Sequence, residues 1–183
     1  MSSRPATFAA ALLATLMVPG AALAADADKT AGGQPAAMAT FIDTEGSEIG
    51  TAEITPTGDG ALIEAEIEGL PADSWVAFHI HETGTCTADD GFKSAGGHFN
   101  PTDAKHGFLV DGGPHAGDMP NQYVDGNGVL RTQVLNTAVT LNEGDTAILG
   151  KAIVIHDGTD DYESQPSGDA GSRIACAVIE GQT

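Results

Sequence analysis

Residues 57–68 read TGDGALIEAEIE, and they carry the clearest secondary-structure signal in the chain. From residue 63 onward apolar and charged side chains alternate, which is typical of a half-buried antiparallel strand. Residues 57–60 supply the glycines and the aspartate that a tight turn requires. The pattern therefore predicts a hairpin over residues 49–70, with one face of its second strand in the core.

Other short apolar runs extend this prediction to an all-β fold. Strands are expected around Phe41 and over residues 76–81, 130–134, 152–156 and 174–179. No segment of twelve or more residues shows a helical stripe. Short strands separated by turn residues favour an antiparallel sandwich or barrel. Residues 83–127 and 157–172 interrupt the pattern, and long loops in a compact domain are usually functional.

Length and charge limit the class of protein. The chain has 183 residues, a net charge of −19 and 41% hydrophobic residues, which fits one folded acidic domain. A surface this negative repels a phosphate backbone, so we expect no nucleic-acid partner.

The amino terminus predicts export. Residues 1–24 combine an apolar run over residues 8–18, too short to span a bilayer, with the small-x-small pattern Ala22-Leu23-Ala24. We interpret them as a cleaved signal peptide, with a membrane anchor as the weaker alternative. No cysteine follows the cleavage point, so a lipid anchor is not expected. The mature protein is expected in the periplasm or secreted.

Two further boundaries follow from composition. Residues 25–37 are small, polar and rich in glycine and proline, which predicts a flexible leader, and the folded domain is expected over residues 38–183. Cys86 and Cys176 are the only cysteines, and in an exported protein they are most simply one intramolecular disulfide rather than two free thiols.

The histidines are the strongest chemical signal. All six lie between residues 79 and 156: His79, His81, His98, His106, His115 and His156. His79 and His81 alternate with apolar residues, so a strand places both imidazoles on one face. Neutral imidazole suits copper and zinc, and Asp118, three residues after His115, is a natural carboxylate ligand. Two four-coordinate metals need one ligand more than these seven, so one imidazole would have to use both nitrogens.

These residues, with their neighbours, resemble a known family. The resemblance rests on the fragments FHIHE (78–82), GHFNP (97–101), HG (106–107), HAGD (115–118), His156 and GSRIAC (171–176). Together, from about residue 38 to 179, they resemble copper/zinc superoxide dismutase, and DDYESQP (160–166) is similar to its bacterial exported branch. The resemblance implies an antiparallel Greek-key β-sandwich, or flattened barrel, with two long functional loops.

The resemblance also implies a role for each site residue. Copper would be bound by His79, His81, His98 and His156, and zinc by His98, His106, His115 and Asp118, with His98 as the bridge. Asp160 would hydrogen-bond His79 and His106 and so fix their tautomers. Cys86 and Cys176 match the disulfide of the family, and Arg173 would lie beside the copper and bind the superoxide anion.

The implied activity is the disproportionation of superoxide to dioxygen and hydrogen peroxide. Copper would be alternately reduced and reoxidised, zinc would be structural, and His98 would release copper and take up a proton. The alternative is a copper/zinc carrier on the same fold, which would not need Arg173. A zinc hydrolase is less favoured still, because Glu82, the acidic residue beside a ligand, is expected to point inward.

Two features depart from a simple picture of the family. The chain is strongly acidic and has Glu163 where relatives often carry lysine, so we expect little long-range steering and a weak salt dependence of the rate. Lys93, Lys105, Arg131 and Lys151 are best interpreted as solubilising charges. Trp75 alternates with His79, which would place an aromatic on the outer surface of the sandwich; a Trp side chain covered by a loop is the equal alternative. The resemblance favours a homodimer.

Overall fold

A computed structural model describes Met1 and residues 36–182 of the chain. All of the predicted signal peptide except Met1, and nearly all of the predicted leader, lie outside these residues. The first strand begins at Ala37, one residue inside the predicted leader. In the described part of the chain, no helix is long and apolar enough to cross a membrane.

Nine strands form the domain, and among the described residues the only helical segments are two short 3-10 turns. The strands are β1 (Ala37–Asp43), β2 (Glu48–Thr57), β3 (Gly60–Ile67), β4 (Ser74–Val76), β5 (Phe78–His81), β6 (Gln122–Val124), β7 (Leu130–Asn136), β8 (Ala152–His156) and β9 (Arg173–Gly181). The 3-10 turns are Ala88–Asp90 and Lys93–Ala95. The all-β prediction is confirmed.

The strands form one antiparallel sheet that nearly closes on itself. Its order is β4-β6-β7-β3-β2-β1-β9-β8-β5, with crossovers between non-consecutive neighbours, as a Greek-key topology requires. The two edge strands, β4 and β5, are consecutive in the chain and separated only by Ala77. One continuous segment therefore joins the two edges, and the sheet becomes a flattened barrel.

That junction corrects one predicted strand. Residues 76–81 were expected to form a single strand, but β4 pairs with β6 whereas β5 pairs with β8. At Ala77 the main chain changes partners: its N–H donates to Gly158, and its carbonyl accepts from His156. The prediction also missed β6, which lies inside the segment expected to be a loop and is only three residues long.

The predicted hairpin is confirmed. Thr57 pairs with Gly60 at its end, and the strands stay in register from there to the pair Gly50–Ile67. Ala61, Ile63 and Ile67 on β3 are completely buried. Each buried isoleucine contributes about 1.5–3 kcal/mol relative to an exposed one, so the alternation read from the sequence fixes the orientation of the strand.

The core lies inside the barrel and anchors the strand that carries two histidines. Phe41, Ile54 and Phe78 are among its largest completely buried side chains, and Ile80 belongs to the same cluster. Phe78 and Ile80 alternate with His79 and His81 along β5. Packing of the apolar pair therefore sets the direction of both imidazoles.

Two long loops cover the other face of β5. The first loop, residues 82–121, connects β5 to β6, and the second loop, residues 157–172, connects β8 to β9. Cys86 in the first loop forms the predicted disulfide with Cys176 on β9, across 90 residues of chain. Closing a segment of this length stabilises the fold by about 4–5 kcal/mol in the chain-entropy model, and it ties the first loop to the barrel.

Candidate metal centre

The open edge of β5 collects two segments of the first loop. Phe99 N–H donates to the Ile80 carbonyl (2.8 Å), and Ile80 N–H donates to the Gly117 carbonyl (2.9 Å). A Cβ on Gly117 would lie 2.2 Å from the Ile80 oxygen, so only glycine permits this approach. The result is that His98 lies opposite His81, and Asp118 lies opposite His79.

The end of β8 brings in the last histidine and the arginine. The pairing of β8 with β9 shifts register between Ile155 and His156, and beyond the shift His156 pairs with Arg173. Bulges of this kind redirect side chains. The imidazole of His156 therefore lies over β5, with ring centroids 5.2 Å from His79 and 5.5 Å from His81.

The seven predicted ligands form two groups that share His98. The copper group is His79, His81, His98 and His156, and the zinc group is His98, His106, His115 and Asp118; within each, one ligand atom per residue lies within 4.8 Å of all the others. All seven residues are buried.

Hydrogen bonds identify the free nitrogen on each imidazole of the copper group. His79 uses Nε2 to contact Asp160 (2.9 Å), and His81 uses Nδ1 to donate to the Gly96 carbonyl (3.0 Å). His98 uses Nδ1 toward Asp118 (2.8 Å), and Nδ1 of His156 faces a carbonyl at 3.4 Å. The atoms left over are Nδ1 of His79 and Nε2 of the other three.

The ring nitrogens that remain are placed to bind a metal ion rather than to hydrogen-bond one another. Nδ1 of His79 and Nε2 of His98 are buried without a hydrogen-bond partner. The Nε2 atoms of His81 and His156 lie 3.4 Å apart with both lone pairs inward. Two nitrogens bound to one tetrahedral metal at about 2.0–2.1 Å are separated by roughly 3.3 Å. A cation between them removes the repulsion of the lone pairs.

The zinc group has the donor set of a closed zinc site, three nitrogens and one carboxylate. Nδ1 of His106 and of His115 have no hydrogen-bond partner, and they lie 3.1 and 3.3 Å from the Asp118 carboxylate. The N–H groups of Gly107 and His115 hold Asp118 in place by donating to its Oδ2 (both 2.9 Å).

Asp160 connects the two groups. Its Oδ2 contacts Nε2 of His79, and its Oδ1 contacts Nε2 of His106, both at 2.9 Å. One carboxylate from the second loop thereby fixes a ring in each group and turns both Nδ1 atoms toward the metal positions.

Sequence reasoning missed the residue that holds Asp160. The side chain of Asn121 accepts from Asp160 N–H and donates to its carbonyl, both at 2.8 Å, and Asn121 N–H donates to the Tyr162 hydroxyl. Asn121 follows the predicted ligand Asp118 by three residues, but its partner is 39 residues away. No local pattern marks such a contact.

Burial sets the protonation of the copper group. It disfavours the imidazolium form, and it lowers the pKa of His79 to about 4, of His81 to about 2 and of His156 to about 3. The hydrogen bond from His79 to Asp160 acts in the opposite direction, but burial outweighs it. These three side chains are neutral at pH 7, the form in which imidazole binds metals.

The carboxylates dominate the zinc group. Burial disfavours charge on His106, but the nearby carboxylates of Asp118 and Asp160 outweigh burial and raise its pKa to about 9. Burial likewise opposes ionisation of both aspartates, but their hydrogen bonds to the imidazoles hold the pKa of each well below its usual range. The two carboxylates are therefore ionised at pH 7 and supply negative charge for a divalent cation.

Arg173 lies beside the copper group. Its guanidinium donates to the carbonyls of Phe92 and Gly96, both at 2.6 Å. The Gly96 carbonyl also accepts from Nδ1 of His81, so one oxygen positions both the arginine and a member of the copper group. The guanidinium is half-buried and has donors to spare for a small anion.

Other predicted residues lie elsewhere or point differently. Arg131 pairs with Glu66 on the exposed face of the sheet, and Lys151 lies over the Phe99 ring and donates to the Glu82 carbonyl. The inward orientation expected for Glu82 is wrong: it is exposed, and its carboxylate accepts from Gly97 N–H, because the chain leaves β5 after His81. Trp75 is 54% exposed, which favours the outer surface over the alternative of a Trp covered by a loop.

Comparison with known proteins identifies relatives for this arrangement. Residues 48–179 match the family model described as Copper/zinc superoxide dismutase (SODC). The chain is 54% identical over 147 residues to "Superoxide dismutase [Cu-Zn] 2" of Aquifex aeolicus, covering 78% of this chain and 85% of the relative. A second protein of that organism, "Superoxide dismutase [Cu-Zn] 1", is 51% identical over 78% of this chain and 86% of its own length.

A solved structure of a SOD-like protein has a similar fold. A double mutant of a SOD-like protein from Bacillus subtilis superimposes with a TM-score of 0.75 at 38% identity, covering 79% of this chain and 97% of that protein.

Gly168 packs closely against Asp160 within the second loop, and a substitution at Gly168 tests the role of Asp160. This glycine has φ +70°, and a Cβ there would lie 1.8 Å from Asp160 Oδ1 and 2.6 Å from His106 Nε2. We expect Gly168→Ala to displace the carboxylate and to weaken zinc binding about 10- to 100-fold, the usual cost of losing a group that orients a ligand. Zinc affinity measured by chelator competition checks this.

The matched control is Gly144→Ala. Gly144 has nearly the same backbone angle, φ +67°, but open space where the Cβ would lie. Both variants carry the strain of a left-handed alanine, about 1 kcal/mol, and only the first reaches the site. Equal zinc affinity in the two variants would contradict the role given to Asp160.

Proposed function

The chain belongs to the copper/zinc superoxide dismutase family and catalyses the disproportionation of superoxide, and on this premise we propose which of its residues carry out the reaction. Its cofactors are copper and zinc. We propose that the four imidazoles of the copper group would hold copper and that the zinc group would hold zinc, with His98 shared by both groups. The observation that carries the assignment is the convergence of buried, unpartnered ring nitrogens on two points that share one imidazole.

The protonation of the two groups supports this division. The copper-group histidines outside the bridge are neutral at pH 7, so a redox-active cation can bind them without displacing their protons. The zinc group adds an ionised carboxylate, which suits a metal that stays divalent. His98 has Nδ1 in the zinc group and Nε2 in the copper group.

When bound, copper supplies the one-electron chemistry, in which one superoxide is oxidised to dioxygen and a second is reduced to peroxide with uptake of two protons. The residues supply position and protons. Nε2 of His98 is the atom that takes up a proton and delivers it, because Nδ1 stays on the zinc side. Asp160 keeps His79 and His106 in the tautomers that present Nδ1.

Arg173 binds the substrate anion. Its two bonds to main-chain carbonyls fix the guanidinium while leaving N–H donors for superoxide. A carrier that only held the metals would have no use for this group. The carrier alternative is not favoured, since the relatives at 51–54% identity are named superoxide dismutases.

Metal removal and return test the function directly. We expect the purified mature protein to hold about one copper and one zinc per chain. Activity should disappear when copper is chelated and return with copper alone if zinc is retained, because zinc has no redox chemistry. Superoxide disproportionation and elemental analysis before and after each step are the measurements. Full metal content without superoxide turnover would contradict the enzymatic function and favour the metal-carrier alternative.

An Arg173→Gln variant separates binding of the anion from loading of the metals. We expect unchanged copper and zinc content and a kcat/KM lower by about 10- to 100-fold, because one nearby positive charge is lost in a partly desolvated site. Unchanged kcat/KM would contradict the role of Arg173.

The wild-type rate should depend weakly on salt, since the remaining charges are distant and screened.

We also propose that the protein is exported and acts in the periplasm without a membrane anchor. Support comes from the amino-terminal pattern in residues 1–24 and from the Cys86–Cys176 disulfide, which suits an oxidising compartment. Amino-terminal sequencing of the protein recovered from the periplasm should begin at Ala25. An uncleaved chain in the membrane fraction would contradict this.

The exposed aromatic pair supports a homodimer. Trp75 and Tyr123 on neighbouring strands are 54% and 47% exposed, and their rings pack edge-on at 5.3 Å. Large exposed aromatics are enriched in subunit contacts. We expect sedimentation equilibrium to show a dimer that Trp75→Ser weakens. The control is Leu149→Ser, which alters an exposed leucine near the end of β9. A wild-type monomer would contradict the proposal.

A further inference from the structure

Gln165, in the second loop, holds the main chain of a zinc-group histidine in the first. Its Oε1 accepts from His106 N–H at 2.9 Å, and its Nε2 donates to the His106 carbonyl at 2.8 Å. The same Nε2 donates to the Glu163 carbonyl at 2.9 Å, which fixes the amide within its own loop. One carboxamide therefore binds both main-chain polar groups of a residue 59 positions earlier.

These bonds satisfy groups that have no other partner among the described residues. His106 is completely buried, and its N–H and carbonyl bond only to Gln165. A buried main-chain N–H or carbonyl without a hydrogen-bond partner destabilises the fold. The two bonds to Gln165 therefore stabilise this arrangement of the loops.

The second loop thus grips His106 at two points. Gln165 holds the main chain, and Asp160 holds Nε2 of the ring at 2.9 Å. With both ends of the residue fixed, Nδ1 can point only toward Asp118 and the rest of the zinc group. The copper group receives no such grip from Gln165, because His79, His81 and His156 are held by the pairing of β5 with β8.

We infer that Gln165 is a positioning residue for zinc, which fixes the main chain of His106 so that its Nδ1 stays aimed at the metal. The inference rests on the proposed assignment of His106 to zinc. It gives a specific role to a side chain that touches neither metal, and it predicts an effect on zinc that copper does not share.

The chain allows a clean test, because Gln165 is itself exposed and its replacement leaves no cavity in the core. Gln165→Leu removes both bonds to His106. Gln165→Glu keeps an acceptor for His106 N–H but places a carboxylate oxygen against the His106 carbonyl. The control is Gln133→Leu, since Gln133 is exposed and bonds only to Glu64 on the surface of the sheet.

The experiment follows the release of both metals from the fully loaded enzyme into excess chelator. We expect Gln165→Leu and Gln165→Glu to release zinc about 10-fold faster or more, with copper release within about twofold of wild type, in the range found for groups that orient a ligand. Cobalt placed in the zinc position should show a shifted ligand-field spectrum in both variants. Gln133→Leu should match wild type in every readout.

Three results would overturn the inference. Wild-type zinc release from Gln165→Leu would show that water replaces the carboxamide without consequence. Equal acceleration of copper and zinc release, with a lower Tm of the metal-free protein, would indicate a general structural role. A His106→Ala variant that keeps its zinc would refute the zinc assignment itself, and it is distinguishable because it leaves the effect of Gln165 without a target.

Discussion

The open edge of β5 is the constraint on which the site depends. One edge of this four-residue strand pairs with β8, and the other exchanges main-chain hydrogen bonds with the segments that carry His98 and Asp118. On one face the strand presents Phe78 and Ile80 to the core, so it cannot rotate or slip without exposing them. A short strand fixed on three sides therefore sets the geometry of proposed ligands that are separated by many residues in the chain.

Closure of the barrel and formation of the metal centre share the same residues. Because β4 and β5 are the two edges of one sheet, the change of partner at Ala77 both closes the barrel and frees the outer edge of β5 for the first loop. The register shift after Ile155 then brings His156 and Arg173 to the same place. The register shift interrupts the regular pairing of two strands, and it places a proposed copper ligand next to the proposed anion-binding group.

The sequence predicted the features that depend on residues close together in the chain, and it missed those that depend on residues far apart in the chain. The alternation in residues 63–68 and the turn before it are local, and the hairpin they predict is present in register. The division of residues 76–81 into two strands depends on β6 and β8, which lie far along the chain, so periodicity alone joined them. Asn121 and Gln165 have ordinary loop sequences around them, and their roles exist only where the two loops meet.

A strongly acidic enzyme with an anionic substrate is physically reasonable because the charges that matter are local. At physiological ionic strength the screening length is about 8 Å, so most carboxylates on the exposed sheet contribute little at the copper group. The nearest acidic groups, Asp118 and Asp160, contact histidines, and bound metal cations would offset their charge. The Gly96 carbonyl accepts hydrogen bonds from both Arg173 and His81, so one atom positions the proposed anion-binding group and a proposed copper ligand. The fold thus sets substrate binding by short contacts, which the net charge of the surface does not govern.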